Sequence, residues 1–173
     1  MKTLLKILAV AVFTLGFISC DPDDPSIVNP ADILGTPFSS IIVYEQLALD
    51  WTSTGEQNVS MVATGGCQQG QFQQFDLESS HQMSIHGKVV RWYGGDFMLN
   101  GCEDNGISGV YEASGTIIDN KVTIEVDFFL TGGCGDYKNA SGQIRGIFTN
   151  GSHPDVYELK LDGKIYQDLC IGR

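Results

Sequence analysis

Alternation of apolar and polar residues is the feature of this sequence that most limits how the chain can fold. Residues 121–130 read KVTIEVDFFL, so that every second residue from Val122 to Leu130 is apolar. Residues 157–165 and 75–85 follow the same two-residue period. Because successive side chains of a β-strand point to opposite faces, this period predicts strands with one buried face. No helical period of useful length appears.

Turn-forming residue pairs separate the alternating runs. They include Gly87-Lys88, Asn105-Gly106, Asp119-Asn120 and Asn150-Gly151, which are residue types that favour tight turns. The runs between them predict eight strands, at residues 38–48, 57–65, 71–86, 88–100, 107–118, 121–131, 141–149 and 155–166. Short connections between such strands predict an all-β fold, an antiparallel eight-stranded up-and-down β-barrel, because closure protects edge strands. A β-sandwich is the alternative.

The first twenty residues have the features of a bacterial export signal. Lys2 and Lys6 precede an uncharged apolar run at residues 7–18, which is shorter than the roughly 20 residues that a membrane-spanning helix needs. The run ends at Ser19-Cys20, and a small residue before cysteine resembles the lipobox of bacterial lipoproteins. The resemblance implies a signal peptide at residues 1–19 and acyl chains, such as palmitate, on Cys20. Two or more chains hold a protein stably at a membrane.

The segment after Cys20 is rich in proline and aspartate. Residues 20–37 bury too little apolar surface to order themselves, which predicts a lipidated, disordered tether before a barrel domain at residues 38–173. An acidic run after the lipidated cysteine resembles a surface-export signal of one group of Gram-negative bacteria. In other groups, aspartate beside the cysteine resembles an inner-membrane retention signal. We predict a lipid-anchored protein of the cell envelope, at the outer membrane and its outward face.

The exported part of the chain is strongly acidic. The ten basic residues include Lys2 and Lys6, so removing the signal leaves eight against 21 acidic residues, a formal charge near −13. Binding to nucleic acid requires basic patches, and this charge argues against it. The membrane is therefore a partner through the lipid anchor and not through charge.

Four cysteines follow Cys20 at near-regular intervals. Cys67, Cys102, Cys134 and Cys170 are separated by 35, 32 and 36 residues, and in a meander two strands return the chain to the same end. We therefore expect all four at one end of the barrel. An even number of cysteines in an oxidising compartment indicates disulfides. Cys67–Cys102 with Cys134–Cys170 is favoured over Cys102–Cys134 with Cys67–Cys170, and paired CxxC spacing typical of zinc sites is absent.

Residues 131–148 carry a family resemblance. They read TGGCGDYKNASGQIRGIF, which resembles the signature GGTGxFxxAxG of the allene oxide cyclase and dirigent β-barrel proteins, with Cys134 and Tyr137 in place of the usual Thr and Phe. The glycines would permit positive φ angles, and Tyr137 would close one end of the barrel. The resemblance implies an eight-stranded barrel. It carries no activity, because the catalytic residues of the cyclase have no match in this sequence.

His81 is the residue with which to test catalysis. It lies on the apolar face of its predicted strand, whereas His86 lies on the opposite face and His153 lies in a loop. The leading hypothesis is a non-enzymatic barrel that binds a small apolar ligand or a partner. An isomerase or cyclase that acts on a hydrophobic substrate, and a structural envelope protein, are the alternatives. No cofactor or metal site is predicted, and the sequence leaves the oligomeric state open.

Overall fold

The computed structural model describes residues 35–45, 49–52, 54–67, 72–101, 105–153 and 155–167. These residues form one short 3-10 segment, Gly135–Tyr137, and eight strands: β1 (Thr36–Glu45), β2 (Gly55–Gly65), β3 (Phe75–His86), β4 (Val89–Asn100), β5 (Gly106–Ile118), β6 (Lys121–Cys134), β7 (Ser141–Asn150) and β8 (Val156–Tyr166). The predicted all-β class and number of strands are confirmed. Within these ranges, no helix has the length and apolar character needed to cross a membrane.

The strands form one curled, barrel-like sheet. Its order is β1-β8-β7-β6-β5-β4-β3-β2, and every neighbouring pair is antiparallel. Among the described residues, the two edges of the sheet meet at one antiparallel bridge, between Ser40 of β1 and Cys67, which lies two residues after the end of β2. Ser40 Oγ also donates a hydrogen bond of 2.8 Å to the carbonyl oxygen of Gly66. The up-and-down order is therefore as predicted, and the seam between β1 and β2 is its least paired junction.

Alternating residues of every strand fill the interior. In β6 the apolar residues predicted to share a face, from Val122 to Leu130, are all buried, and the residues between them are mostly exposed. The same holds for Phe75, Leu77, Met83 and Ile85 of β3. Removing these side chains from water is the main force that favours the curled sheet over an extended chain.

The two ends of the sheet differ in how they are covered. The chain enters β1 at the end where β2, β4, β6 and β8 finish, which we call the cysteine end because Cys67 and Cys134 lie there. Buried Phe72 and Tyr137 cover this end, with ring centroids 4.9 Å apart. At the opposite, hairpin end, Trp51 packs on Phe148 and donates its Nε1 proton to Tyr157 Oη at 2.7 Å.

Most strands differ from their predicted bounds at one or both ends, and three of these differences have a local reason. β3 begins at Phe75 instead of residue 71, because Phe72 belongs to a loop in which its carbonyl accepts the Cys67 amide at 2.7 Å. β6 continues through Gly132-Gly133, since both residues pair with β5. β1 begins at Thr36 and therefore includes Pro37, which an edge strand accommodates because one side of its backbone needs no partner.

The glycine-rich segment has the backbone that the family resemblance implied. Gly132, Gly135 and Gly142 have φ angles of 150°, 59° and 138°, which residues with a side chain rarely adopt. Tyr137 lies two residues after Gly135 and is buried at the cysteine end. These glycines therefore turn the chain so that an aromatic ring closes the end of the sheet.

Candidate functional site

His81 points into the interior of the sheet, as its position in the alternating pattern predicted. It is 5% exposed, and its Nδ1 lies 2.6 Å from Tyr111 Oη. The His81 ring stacks on Trp92, with centroids 4.4 Å apart and planes inclined by 22°. The histidine is thus held by one hydrogen bond and one aromatic face.

A β-bulge explains how His81 reaches Tyr111. The two residues lie on β3 and β5, on either side of β4, so about two strand spacings separate their backbones. The register between β3 and β4 shifts beside His81, where Gly94 and Gly95 occupy the extra positions of β4. A Cβ atom on Gly95 would lie 2.8 Å from the Tyr111 ring. The side chains of His81 and Tyr111 can therefore meet across β4 because Gly95, which lies between them, has no side chain.

Four further polar atoms of this region are buried without a hydrogen-bond partner among the described residues. They are Tyr44 Oη, Ser79 Oγ, His81 Nε2 and Trp92 Nε1. We call Tyr44, Ser79, His81, Trp92 and Tyr111 the interior cluster. Because buried polar groups are nearly always hydrogen-bonded in folded proteins, this cluster is the most unusual feature of the core.

Burial keeps the interior cluster uncharged. It lowers the pKa of His81 to about 4, so the imidazole is neutral at pH 7. It also raises the pKa of Tyr44, with a smaller contribution from nearby Tyr111. The pKa of Tyr111 is raised by burial, and neighbouring Ser79 partly offsets this rise, although no hydrogen bond of good geometry joins them. The cluster can therefore exchange hydrogen bonds but holds no charge.

A second candidate site is a polar groove on the outside of the sheet, with a volume of about 910 Å³. We call it the outer groove. Residues of β2 to β6 line it, at the half of the sheet nearer the hairpin end. Most of them face away from the core, among them Glu56, Arg91, Tyr93, Glu112, Glu125 and Asp127, whereas Trp92 and Ala113 are buried core residues.

One row of cross-strand partners forms the floor of the outer groove. Glu56 pairs with Ser84, Ser84 with Arg91, Arg91 with Ser114, and Ser114 with Glu125. Among the described residues the ion pairs are Arg145–Asp127 and Lys160–Glu158. Arg91 therefore occupies the middle of a row that has Glu56 at one end and Glu125 at the other, and it forms a salt bridge with neither of them.

Tyr93 adds an aromatic group to the outer groove. The carboxylate of Glu56 lies beside its hydroxyl and raises the pKa of Tyr93, although the two groups do not meet the geometry of a good hydrogen bond. Asp127, another residue of the groove, already has two partners on β7: its carboxylate accepts a hydrogen bond from Gln143 Nε2 at 3.0 Å and forms an ion pair with Arg145 at 3.6 Å. The groove thus combines carboxylates, one unpaired cation and a phenol.

The cysteines are placed in part. Cys67 is half-buried and Cys134 is exposed; both are free thiols, and no disulfide occurs among the described residues. Both lie at the cysteine end, which confirms the predicted location for these two. Burial raises the pKa of the Cys67 thiol, and a hydrogen bond with Ser40 opposes the rise. Cys20, Cys102 and Cys170 lie outside the described residues, so neither predicted pairing is tested.

The loop that carries Cys102 is nevertheless fixed at both of its ends. The Gly101 amide donates to the Asn105 carbonyl at 2.7 Å, and Asn105 Oδ1 accepts the Asp136 amide at 2.8 Å. Asn105 is buried. Asn105 is therefore bound to the segment that follows Cys134.

The other histidines take no part in the interior cluster. His86 is exposed at the end of β3 and borders the outer groove, on the face opposite His81, as the sequence pattern predicted. His153 is exposed in the turn before β8. Within the described ranges, no three histidine, cysteine or carboxylate side chains come together in a way that would hold a metal ion.

Sequence reasoning identified His81 but missed the rest of both sites. Tyr44, Ser79, Trp92 and Tyr111 each occupy an inward position of an alternating strand. The sequence contained one signal for this cluster: residues with polar atoms occupy positions that the alternating pattern assigns to the core. The outer groove left no signal, because its residues come from five strands and share only an outward orientation.

Comparison with known proteins adds no relative. No protein-family model matches the sequence, and no curated protein is similar to it. The resemblance of residues 131–148 to the allene oxide cyclase and dirigent barrels, and that of residues 1–20 to a lipoprotein signal, therefore stay predictions from the sequence.

Proposed function

We propose that the protein is an exported lipoprotein whose β-barrel domain is a non-enzymatic binding module, and that its partner binds in the outer groove. Lys2, Lys6, the apolar run at residues 7–18 and Ser19-Cys20 support export and lipid attachment. The observation that carries the binding site is a groove of about 910 Å³ on the outer face of the sheet.

The packing of the interior favours an outside site. Phe148 alone contacts the rings of Tyr44, Trp51, Trp92 and Tyr157, at centroid distances between 5.2 and 6.4 Å. An eight-stranded barrel has room for its own side chains or for one small ligand. Here aromatic side chains take much of that volume, so an apolar ligand larger than a small alcohol would need a rearranged core, whereas a partner in the outer groove would not.

The position of the outer groove suits an anchored protein. The chain enters β1 at the cysteine end, and the groove lies toward the hairpin end. Sixteen residues separate Cys20 from Thr36, and such a segment reaches at most about 55 Å when extended. A lipid on Cys20 would thus leave the groove on the side of the domain away from its attachment.

The charges of the outer groove define the partner. Four carboxylates, those of Glu56, Glu112, Glu125 and Asp127, line the groove together with Arg91. Such a lining attracts amine and hydroxyl donors, and Arg91 offers donors to a carbonyl or hydroxyl oxygen. We therefore infer a polar partner that bears both kinds of group, which is compatible with the acidic charge of the whole domain.

Site-specific photocrosslinking in the intact envelope tests this proposal. A photoreactive phenylalanine analogue replaces Tyr93 in the groove, and a matched control replaces exposed Lys160 on β8. We expect an adduct from position 93 that is lost when Arg91→Glu is added, and none from position 160. Equal adducts at both positions, or an adduct at 93 that is insensitive to Arg91→Glu, would contradict a partner in the groove.

A second candidate, an isomerase or cyclase, is favoured by the hydrogen bond between His81 and Tyr111. Neutral His81 has a second ring nitrogen without a partner, which is the state that a general acid or base requires. Isomerisation changes no mass, so the test compares chromatographic retention of envelope lipids from cells with the wild type and with His81→Gln. A species that shifts only in the variant supports catalysis, and identical profiles reject it.

A further inference from the structure

Four buried polar atoms of the interior cluster have no partner among the described residues: Tyr44 Oη, Ser79 Oγ, His81 Nε2 and Trp92 Nε1. Each of these residues is at least nine-tenths buried. A polar group that leaves water without gaining a new hydrogen bond destabilises the folded state. Because one such atom is uncommon and four in one core are rare, we expect a further molecule to satisfy them.

The four residues belong to one continuous set of contacts. His81 stacks on Trp92 at 4.4 Å, and Trp92 lies 5.2 Å from Phe148, which in turn lies 5.8 Å from Tyr44. Ser79 is close enough to Tyr111, the hydrogen-bond partner of His81, to influence its ionisation. The residues that carry the unpartnered atoms therefore belong to one contiguous region of the core.

The chemistry of these atoms limits what they can bind. The indole N–H of Trp92 can only donate, whereas the hydroxyls of Tyr44 and Ser79 can donate or accept. Burial holds His81 in its neutral form by lowering its pKa to about 4. With no charge in the cluster, a buried ion would lack compensation. The ligand is therefore neutral and must present at least one acceptor atom to Trp92.

The β-bulge beside His81 supports a site and not a packing defect. Bulges interrupt a ladder of hydrogen bonds, and they are common where a side chain has to be redirected next to a functional site. Here Gly94 adopts a φ of 60°, and Gly95 lacks the side chain that would separate His81 from Tyr111. Two glycines in succession thus position the polar groups of the cluster.

We propose that the interior cluster is a buried binding site for a small neutral molecule with a hydroxyl or carbonyl oxygen, which accepts a hydrogen bond from Trp92 Nε1. Water is the smallest such molecule, and a water in a protein core typically makes about three hydrogen bonds, which the four unpartnered atoms can supply. A small alcohol or carbonyl compound shares this chemistry. The site shares Trp92 with the lining of the outer groove, but its polar atoms are buried and its test uses no ligand of the groove.

The two tryptophans of the chain provide a test with an internal control. Trp51 Nε1 already donates to Tyr157 Oη at 2.7 Å, whereas Trp92 Nε1 has no partner. In the ¹⁵N-labelled full chain, we expect the indole proton of Trp92 to show a nuclear Overhauser effect to a long-lived water, with Trp51 showing none. The Trp92→Phe variant assigns the two signals.

Native mass spectrometry of the same sample distinguishes a bound water from a bound organic molecule. If an organic molecule occupies the site, the Trp92 proton shows no effect from water, and a neutral mass adduct accompanies the protein. Ser79→Ala should remove the water signal or the adduct, and the matched Ser60→Ala, exposed on β2, should leave it unchanged. Absence of both signals from the wild type, or their survival in Ser79→Ala, would overturn the proposal. Ser79→Ala removes one hydroxyl only, so the result does not depend on whether Trp92→Phe folds.

Discussion

At the scale of single residues, Gly95 has the largest structural effect for its size. It lies in β4, between β3 with His81 on one side and β5 with Tyr111 on the other. A Cβ atom on Gly95 would lie 2.6 Å from the carbonyl oxygen of Tyr111. Gly94, its neighbour, has open space around the same position but a φ of 60°. The two glycines are therefore needed for different reasons, one for space and one for backbone conformation.

This difference can be measured with two alanine substitutions. Gly95→Ala must displace Tyr111 or the backbone of β5, and we expect it to lower the free energy of unfolding by about 2–3 kcal/mol, as overpacking a core does. In Gly94→Ala the new methyl group meets no neighbour, but alanine must adopt the left-handed conformation, which lowers the free energy of unfolding by about 1–2 kcal/mol. Urea denaturation gives both values. Equal losses would contradict the assignment of a close contact to Gly95 alone.

The buried imidazole of His81 makes stability depend on pH. Its pKa is about 4 when folded against 6.5 when exposed, so above pH 6.5 it is neutral in both states. Between pH 6.5 and 4 the unfolded chain binds a proton that the folded protein does not. The free energy of unfolding should therefore fall through this range, by up to about 3 kcal/mol below pH 4.

Denaturation at several pH values checks this dependence. The variant His81→Gln cannot take up the proton and should show a flatter profile between pH 6.5 and 4. His86→Gln, at an exposed position on the same strand, serves as the matched control and should keep the slope of the wild type. A wild-type slope in His81→Gln would show that other groups cause the acid sensitivity.

At the scale of strands, the junction between β1 and β2 is distinct from the other seven. Each of those is a full antiparallel ladder, whereas β1 and β2 share the bridge between Ser40 and Cys67. Ser40 Oγ reinforces it with a hydrogen bond to the Gly66 carbonyl. Backbone groups with few partners open more often than those in central ladders.

Hydrogen exchange should reveal this junction. We expect amides of β1 that face β2 to exchange faster than those of β5 and β6, which pair along their whole length. Ser40→Ala should accelerate exchange at this seam and lower stability by about 1 kcal/mol. The exposed Ser39→Ala is its control. Uniform exchange across all strands would indicate a fully paired barrel in solution.

The strands themselves could be predicted because burial leaves a two-residue period in the sequence. From Val122 to Leu130 the chain shows directly which side chains enter the core. The bulge could not be predicted, because Gly94-Gly95 reads as two flexible residues, and its effect depends on Tyr111, two strands away from His81. The same applies to the outer groove, which depends on the register of five strands. Local patterns identify elements, and sites require the pairings between them.

At the scale of the whole molecule, the oxidation state of the cysteines depends on the compartment in which the protein folds. Cys134 pairs across the ladder with Gly106. Cys102 and Cys170 lie outside the described residues, so Cys67–Cys102 with Cys134–Cys170 and Cys102–Cys134 with Cys67–Cys170 both stay predictions. In an oxidising envelope, we expect the denatured, unreduced protein to bind no maleimide. Non-reducing peptide mapping identifies the pairs, and labelled Cys67 or Cys134 would contradict both bridges.

The anchor can be tested independently of the barrel. We expect Cys20→Ser to release the protein from the membrane fraction, because lipid attachment requires that thiol. Cys67→Ser, at the cysteine end of the folded domain, is the matched control and should stay with the membrane. Retention of Cys20→Ser after a carbonate wash would show that something other than a lipid holds the protein there.

The two ends of the folded domain leave it side by side. Gly35 precedes β1, and the space beside its Cα is taken by the ring of Tyr166, the last residue of β8. A reporter inserted after Tyr166 would thus start from the same end of the sheet as Gly35, and if Cys20 carries the proposed lipid, a bulky one would crowd the side that faces the anchor. The turn at Gly87, with open space around its Cα, projects from the other side. An epitope displayed to the surroundings would have to be inserted there, in the middle of the gene.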